Sequence, residues 1–377
     1  MGDRQEIDVH QFAVITAASY LGLGLFQFPR ELVEYGHADA GWSFLLLVGA
    51  ALGFLWLDLQ VAQLSGDGSI VRALNTLLTP WGAYPLQVVR WLVHLFLALS
   101  ALANFGLVMR TFFLPGTPVW AIEMAMLATA GYLAWYGLNV MGRTLEAGFL
   151  PTLIASVGIG VLVVPQIKFS WAILPVLHFA VRPILSGTYH SAYIFMGVEV
   201  VAQVYPHVRP AQRALATRYA FGMVLATAAF FAFGYSVVMG TEGPYMLVQI
   251  QWPPVSALRL ANIQGFFINK LGLLVVVLWG LFVLGFLGIR LWCLSDNLTA
   301  LVPGDHRTFW YRWAVGGAAI ATLITAQLFG NIVTLTWLFL NWGLPVVTVY
   351  LITFPLIVLG VNGLRTLGIK RRGVSTG

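Results

Sequence analysis

A run of about twenty apolar residues can satisfy its own backbone in lipid only as a helix, and this chain repeats such runs ten times. They lie near 11–34, 41–63, 86–113, 117–138 and 146–165, then near 187–205, 217–239, 267–294, 309–329 and 332–360. Period-two alternation is absent, which excludes a membrane barrel. Only 9% of the 377 residues are charged, where a soluble domain carries roughly a quarter. Lipid must therefore solvate much of the surface. The expected fold class is an all-α polytopic membrane protein forming a single transmembrane domain over 1–377. Two stretches, 166–186 and 240–265, are apolar but broken by prolines such as Pro175, Pro244 and Pro253. They read as segments lying at the membrane surface.

The net charge of +6 raises the question of a nucleic-acid partner. No basic patch interleaved with aromatics supports one, and topology explains the excess better. With a cytoplasmic N-terminus, fourteen of the 20 Lys and Arg fall at inner helix ends, Arg90 and Arg290 among them. Six, including Arg30 and Lys270, fall outside. The positive-inside bias then puts both termini in the cytoplasm, with a basic cytoplasmic tail at 361–377. Arg4 belongs to the inner set. Cys293 is the only cysteine, so an intramolecular disulfide is excluded. No small-residue cleavage site follows the first apolar run, and no cleaved signal peptide is expected.

Two spans stand apart from their Leu- and Val-rich neighbours. The first carries Tyr20-Leu21-Gly22-Leu23-Gly24-Leu25-Phe26-Gln27-Phe28-Pro29-Arg30. Two alternate glycines followed by a proline weaken the hydrogen-bond ladder in mid-span. The sixth carries Tyr193-Ile194-Phe195-Met196-Gly197-Val198-Glu199, a glycine beside an intramembrane acid. These are the first helices of two five-span halves, about 11–165 and 187–360. Interrupted helices at equivalent places point to a mid-membrane ligand site between inverted repeats, where N–H groups at a half-helix start can bind a carboxylate. Glycines that merely allow close helix packing are the plainer alternative, and the coincidence of the two breaks favours a site.

These residues resemble a known family. The run Leu21-Gly22-Leu23-Gly24-Leu25 with Pro29-Arg30 looks like helix 1 of spore germination receptor B subunits, within the amino acid–polyamine–organocation transporter superfamily. Phe195-Met196-Gly197-Val198-Glu199 with Pro206 is similar to its helix 6. Trp252-Pro253, leading through Gly265-Phe266-Phe267 to Trp279, resembles its helix 7–8 connection and helix 8. One departure is Asn269-Lys270, where the family usually has Glu-Arg. The resemblance implies a ten-helix 5+5 inverted repeat like that of the bacterial leucine transporter, with helices 1 and 6 broken. It implies a small-molecule nutrient, often an amino acid, bound at mid-membrane to trigger germination. It also implies germination receptor A and C subunits as partners in the spore inner membrane. By position the ligand-binding residues are Gly22, Leu23, Gly24 and Leu25 in helix 1, and Phe195, Met196 and Gly197 in helix 6. His94 in helix 3 and Phe286 in helix 8 complete the set.

The same superfamily contains permeases, and an amino acid or amine permease is the alternative. Between Lys270 and Cys293 there is no Ser or Thr to hold a sodium ion, and 146–165 has no lysine to stand in for one. Neither familiar coupling device of the superfamily is present, which favours a sensor over a pump. A purely structural membrane scaffold fits the composition but leaves both broken helices unexplained. Intramembrane ionisable groups are functional candidates by default. Glu199 leads them as a proton or ammonium site, with anchoring of helix 6 as its bland alternative. Asp58 and Glu123 read as structural or water-facing, and Asn104 as a donor to broken backbone. The seven histidines are scattered without metal-ligand spacing, and no nucleophile elbow or phosphate loop occurs. No enzyme, metal or cofactor is expected.

Overall fold

The computed structural model describes residues 6–66, 68–173, 178–260, 271–302 and 304–373. Arg4, Pro175 and the Gly265–Lys270 motifs lie outside the described residues. The described chain is helical, and its only β feature is an isolated parallel bridge between Ile7 and Val208. That bridge ties the N-terminal segment to the end of the sixth span, through Ile7 N–H to the His207 carbonyl at 3.0 Å.

Helix α1 (Val9–Leu21) starts at a capping box. The Asp8 carboxylate accepts from the backbone of His10 and Gln11, and the Gln11 side chain accepts from Asp8 N–H. These bonds satisfy donors that a helix start leaves unpaired. The chain leaves helix at Gly22 and re-enters it as α2 (Phe28–Gly36), so the first apolar run forms two half-helices. Helix α3 (Ala40–Leu64) follows, then α4 (Ile70–Phe112), α5 (Val119–Tyr136) and α6 (Leu138–Val163). The sixth run comprises α7 (Val181–His190), a 3-10 stretch over Ala192–Glu199 and α8 (Val200–Val204). Next come α9 (Arg213–Gln249), α10 (Pro253–Leu260), α11 (Leu271–Thr299) and α12 (Gly304–Leu328). The last run is α13 (Ile332–Leu338), a π turn over Phe339–Gly343 and α14 (Leu344–Gly373).

Among the described residues, six helical stretches are long and apolar enough to cross a bilayer. Several boundaries differ from the hydropathy reading. Helix α4 begins sixteen residues before the expected 86 and turns at Thr79 (φ +60), just ahead of Pro80. Proline disfavours α geometry in the residue before it, and here Thr79 leaves helix, so an apolar N-terminal piece joins the span across a kink. Helix α9 likewise continues past 239 and turns at Gly243 (φ +75) before Pro244. Here glycine is needed, because a positive φ strains any other residue. The Gly240 carbonyl at that turn accepts from the N–H groups of Lys168 and Phe169, which joins the two proline-broken stretches to each other. Helix α14 runs on through 361–373.

The core lies where α4 and α11 cross. From Val93 to Val108 every α4 residue but the half-buried Phe96 is buried around the whole helix, as expected of a helix surrounded by others. Trp279, Phe282, Phe286, Arg290 and Trp292 of α11 are equally buried. Small residues permit this closeness. A Cβ at Gly106 would stand 2.9 Å from both Glu123 and Val119 of α5.

Candidate functional site

The first interruption is built by glycines. At Gly24, φ is +85°, and its carbonyl accepts from both Gln27 and Phe28 N–H at 3.0 Å. This turn restarts the chain as α2, with Pro29 in its first turn, where a missing N–H costs nothing. The Tyr193 ring lies against Gly24, so a Cβ there would be 2.0 Å from the Tyr193 Cε2. Phe286 of α11 fills the space beside Gly22, where a Cβ would stand 2.1 Å from the Phe286 Cβ. Leu25 is half-buried, and the Phe26 ring packs at a tilt on Trp279 with centroids 4.5 Å apart.

The second interruption crosses the first. Gly197 in the 3-10 stretch presses on α1, and a Cβ there would fall 1.9 Å from the Ser19 carbonyl oxygen. The Ser19 hydroxyl donates to the Gly197 carbonyl at 3.0 Å and to the Thr16 carbonyl at 2.6 Å. The tighter 3-10 winding sends Phe195 between Tyr20 and Phe231, with centroids at 5.8 and 6.0 Å. Met196 is buried in the core.

Beside this crossing lies a cavity of about 20 Å3, enough for one water-sized group. Leu23, four residues beyond Ser19, and Tyr193, four before Gly197, both line it. Its polar lining is Gln27, Glu31, Ser100, Asn104, Tyr193 and Thr336. Phe339, which opens the π turn of the last span, closes it and meets the Tyr193 ring edge-on at 5.3 Å. That turn has its own steric cause, since a Cβ at Gly343 would stand 1.8 Å from the Phe96 ring. The Asn104 Oδ1 accepts from the Trp252 indole N–H at 3.2 Å, which leaves its amide N–H groups as the donors expected there.

On the other side of the crossing the charged groups gather. The Arg290 guanidinium forms a buried ion pair with Glu199 and contacts His94 Nδ1 at 3.1 Å. His94 Nδ1 and Glu199 are 3.4 Å apart. Glu199 also caps α8 by accepting from Val200 N–H at 3.0 Å, and Arg290 lies over the Phe286 ring at 4.6 Å. A second chain follows towards the end of α11. Arg90 donates to Gln203 at 2.7 Å, Gln203 donates to Asp296 at 3.0 Å, and Arg307 donates to Asp296 at 2.6 Å. Asp58 is buried within electrostatic reach of Glu199 and Arg90. Among the described residues, Arg90 Nε and Nη1, Arg290 Nε and Nη2 and His94 Nε2 are buried without a hydrogen-bond partner. Unmet buried donors are costly. Glu123 accepts from Gln327 and ties α5 to α12. Among the described residues no group of acids, histidines or cysteine has a metal-binding arrangement.

The residues expected at the site thus divide three ways. Leu23 lines the cavity, Gly22, Gly24, Gly197 and Phe286 form its tight frame with Leu25, Phe195 and Met196 packed around it outside the lining, and His94 and Glu199 join the charged cluster. Arg90 and Arg290 are a correction: they are fully buried and do not belong to the inner-end topology charges. Gln203 and Asp296 were not singled out by their sequence context. Neither was Glu31, although an acid two residues after the Pro29 of a broken helix was a usable signal.

The comparisons with known proteins bear on the family and the fold. The chain is 23% identical over 289 residues to spore germination protein GerQB of Bacillus cereus, covering 76% of this chain and 77% of that one. It is 22% identical over 371 residues to spore germination protein B2 of Bacillus subtilis (strain 168), covering 88% and 94%. In fold it is similar to Mhp1, a nucleobase-cation-symport-1 family transporter solved closed with bromovinylhydantoin bound. There the TM-score is 0.64 and the identity 15%, over 92% of this chain and 77% of that one. It is also similar to MhsT in complex with L-phenylalanine, at TM-score 0.58 and 12% identity, over 93% and 97%. The architecture is therefore the leucine-transporter type of fold. The model of the family described as spore germination protein (Spore_permease) matches residues 6–331, and this multi-pass membrane protein belongs to that family.

Proposed function

We propose that this chain is the membrane subunit of a nutrient-germinant receptor, which binds a small amino-acid-like ligand where its two interrupted helices cross. The observation that carries the reading is the polar cavity beside the Ser19–Gly197 crossing, flanked by two half-helix ends. The site would comprise the cavity lining and the frame of Gly22, Gly24, Met196, Gly197 and Phe286. A ligand there touches the frame that meets the charged cluster, because Gly22 packs on Phe286 and Phe286 lies under Arg290. Displacing Phe286 would disturb the Arg290–Glu199 pair and thereby the start of α8. In this reading the protein sits in the spore inner membrane with both termini in the cytoplasm, and A and C receptor subunits receive the signal.

A permease is the second reading, favoured by the transporter fold of the structural neighbours. The absence of hydroxyls between Lys270 and Cys293 and the guanidinium fixed on α11 support a receptor without sodium coupling. Proteoliposomes holding this chain alone separate the two. A receptor binds the same amino acids in sodium and in potassium and accumulates none of them. Uptake against a gradient that Glu199→Gln abolishes makes the protein a proton-coupled permease.

A further inference from the structure

The cavity holds a carboxylate, Glu31, that no cation faces inside the cavity lining. Glu31 stands in the first turn of α2, and its Oε2 is buried without a hydrogen-bond partner among the described residues. Its neighbour Arg30 is engaged elsewhere, in an ion pair with Glu34 at 3.2 Å and a hydrogen bond to Gln251 at 2.5 Å. The three charges of this turn therefore sum to one negative. The Tyr193 hydroxyl lines the same cavity beside Glu31 and is the one neutral donor the lining turns towards that carboxylate.

Sign and size together select the occupant. An anion is disfavoured, since the first-turn carboxylate already complements the positive start of α2 and a second negative group would repel it. A carboxylate left bare in low dielectric costs several kcal/mol, and a cation with N–H donors removes that cost by charge-assisted hydrogen bonds. Around Glu31 the lining offers further acceptor oxygens on Gln27, Asn104, Ser100 and Thr336, and the aromatic rings of Tyr193 and Phe339. Aromatic faces also attract cations. A volume of about 20 Å3 admits one water-sized head and excludes a quaternary one.

We propose that this cavity is a subsite for a primary ammonium group, with the Glu31 carboxylate as its counter-charge. A free ammonium ion and the ammonium end of a larger amine share this chemistry. For the physiological ligand the proposal rests on the amino-acid-binding reading above, with the ammonium end at Glu31 and the remainder towards the helix crossing.

Carboxyl modification by dicyclohexylcarbodiimide, an apolar reagent for acids in low-dielectric surroundings, tests this on the purified full-length protein. Mass spectrometry locates the adduct, and Glu31→Gln identifies it by its loss. Methylammonium is expected to slow labelling of Glu31 by about tenfold, whereas tetramethylammonium, of equal charge but too large, leaves it unchanged. Longer primary amines that protect at lower concentration identify a ligand's end rather than free ammonium as the natural occupant. The proposal is overturned if Glu31 is not labelled, or is labelled equally fast with and without methylammonium. Amino acids and their N-acetyl derivatives separate the two claims. Protection by methylammonium but by no amino acid keeps the subsite and removes the amino-acid reading. Calorimetric binding of an amino acid that leaves Glu31 labelling untouched does the reverse.

Discussion

Phe286 occupies the space that any side chain at residue 22 would need, since a Cβ on Gly22 would stand 2.1 Å from the Cβ of Phe286. The ring is held in turn by Arg290, whose guanidinium lies 4.6 Å from its centroid. The break in the first span is thus connected by direct packing to the charged cluster.

Gly22→Ala should therefore act through Phe286. Overpacking a close-fitted core costs about 1–3 kcal/mol, seen as a lower melting temperature of the purified protein and weaker ligand response. Phe286→Ala alone should cost more, about 3–5 kcal/mol. Combining them should cost clearly less than the sum, because the truncated ring no longer opposes the new methyl group. Additive losses would show that the two residues do not share this contact.

Gly197→Ala should be more damaging than Gly22→Ala. Its Cβ would meet a backbone oxygen, that of Ser19 at 1.9 Å, which cannot rotate away as a ring can. Ser19→Ala removes the hydroxyl bonded to the Gly197 and Thr16 carbonyls but leaves the close backbone approach, and should cost about 1 kcal/mol. Melting curves of the two variants in the same detergent check the ranking. Equal effects would mean that the hydroxyl, not the close backbone approach, holds the spans together.

The Arg290–Glu199 pair predicts an asymmetry. Glu199→Gln leaves a buried guanidinium without its counter-charge and should destabilise by about 3–5 kcal/mol. Adding Arg290→Met removes the orphaned charge and should recover part of that loss, since apolar replacements of buried pairs are often tolerated. Ligand response should stay impaired in the double variant, which separates a role in signalling from one in folding. A double variant with normal response would assign the pair to packing alone.

Much of this was legible in the sequence, for reasons that also explain what was not. Two alternate glycines before Pro29 signal a break because glycine and proline act on the local backbone, and the local backbone is what a sequence displays. Glu199 is legible because an acid within an apolar run needs a reason. Its partner is not legible. Arg290 and Arg90 fall near helix ends in a hydropathy profile and look like topology charges, and only the crossing of α4 and α11 turns them inward. Glu31 is obscured by its neighbours, because Arg30 and Glu34 at i,i+4 spacing make the segment look like a solvated face. The Phe286–Gly22 contact joins residues 264 positions apart, and no local pattern sets that register. The start of α4 at Ile70 lies ahead of the span expected from 86, because the run there is interrupted by Pro80 and Pro85, and the helix resumes across them after the turn at Thr79.

Direct binding is the measurement that bears hardest on the central claim, that a small ligand is held beside the helix crossing. Ser100 lines the cavity and its hydroxyl is already spent on the Phe96 carbonyl at 2.8 Å, so Ser100→Leu fills the space without breaking a bond between spans. Calorimetry of an amino-acid panel on the wild type and on Ser100→Leu, with matched melting temperatures, is the test. At least one amino acid should bind the wild type and lose about tenfold or more in affinity in Ser100→Leu. A wild type that binds no amino acid, or a Ser100→Leu protein that binds as tightly, would contradict a ligand site at this cavity.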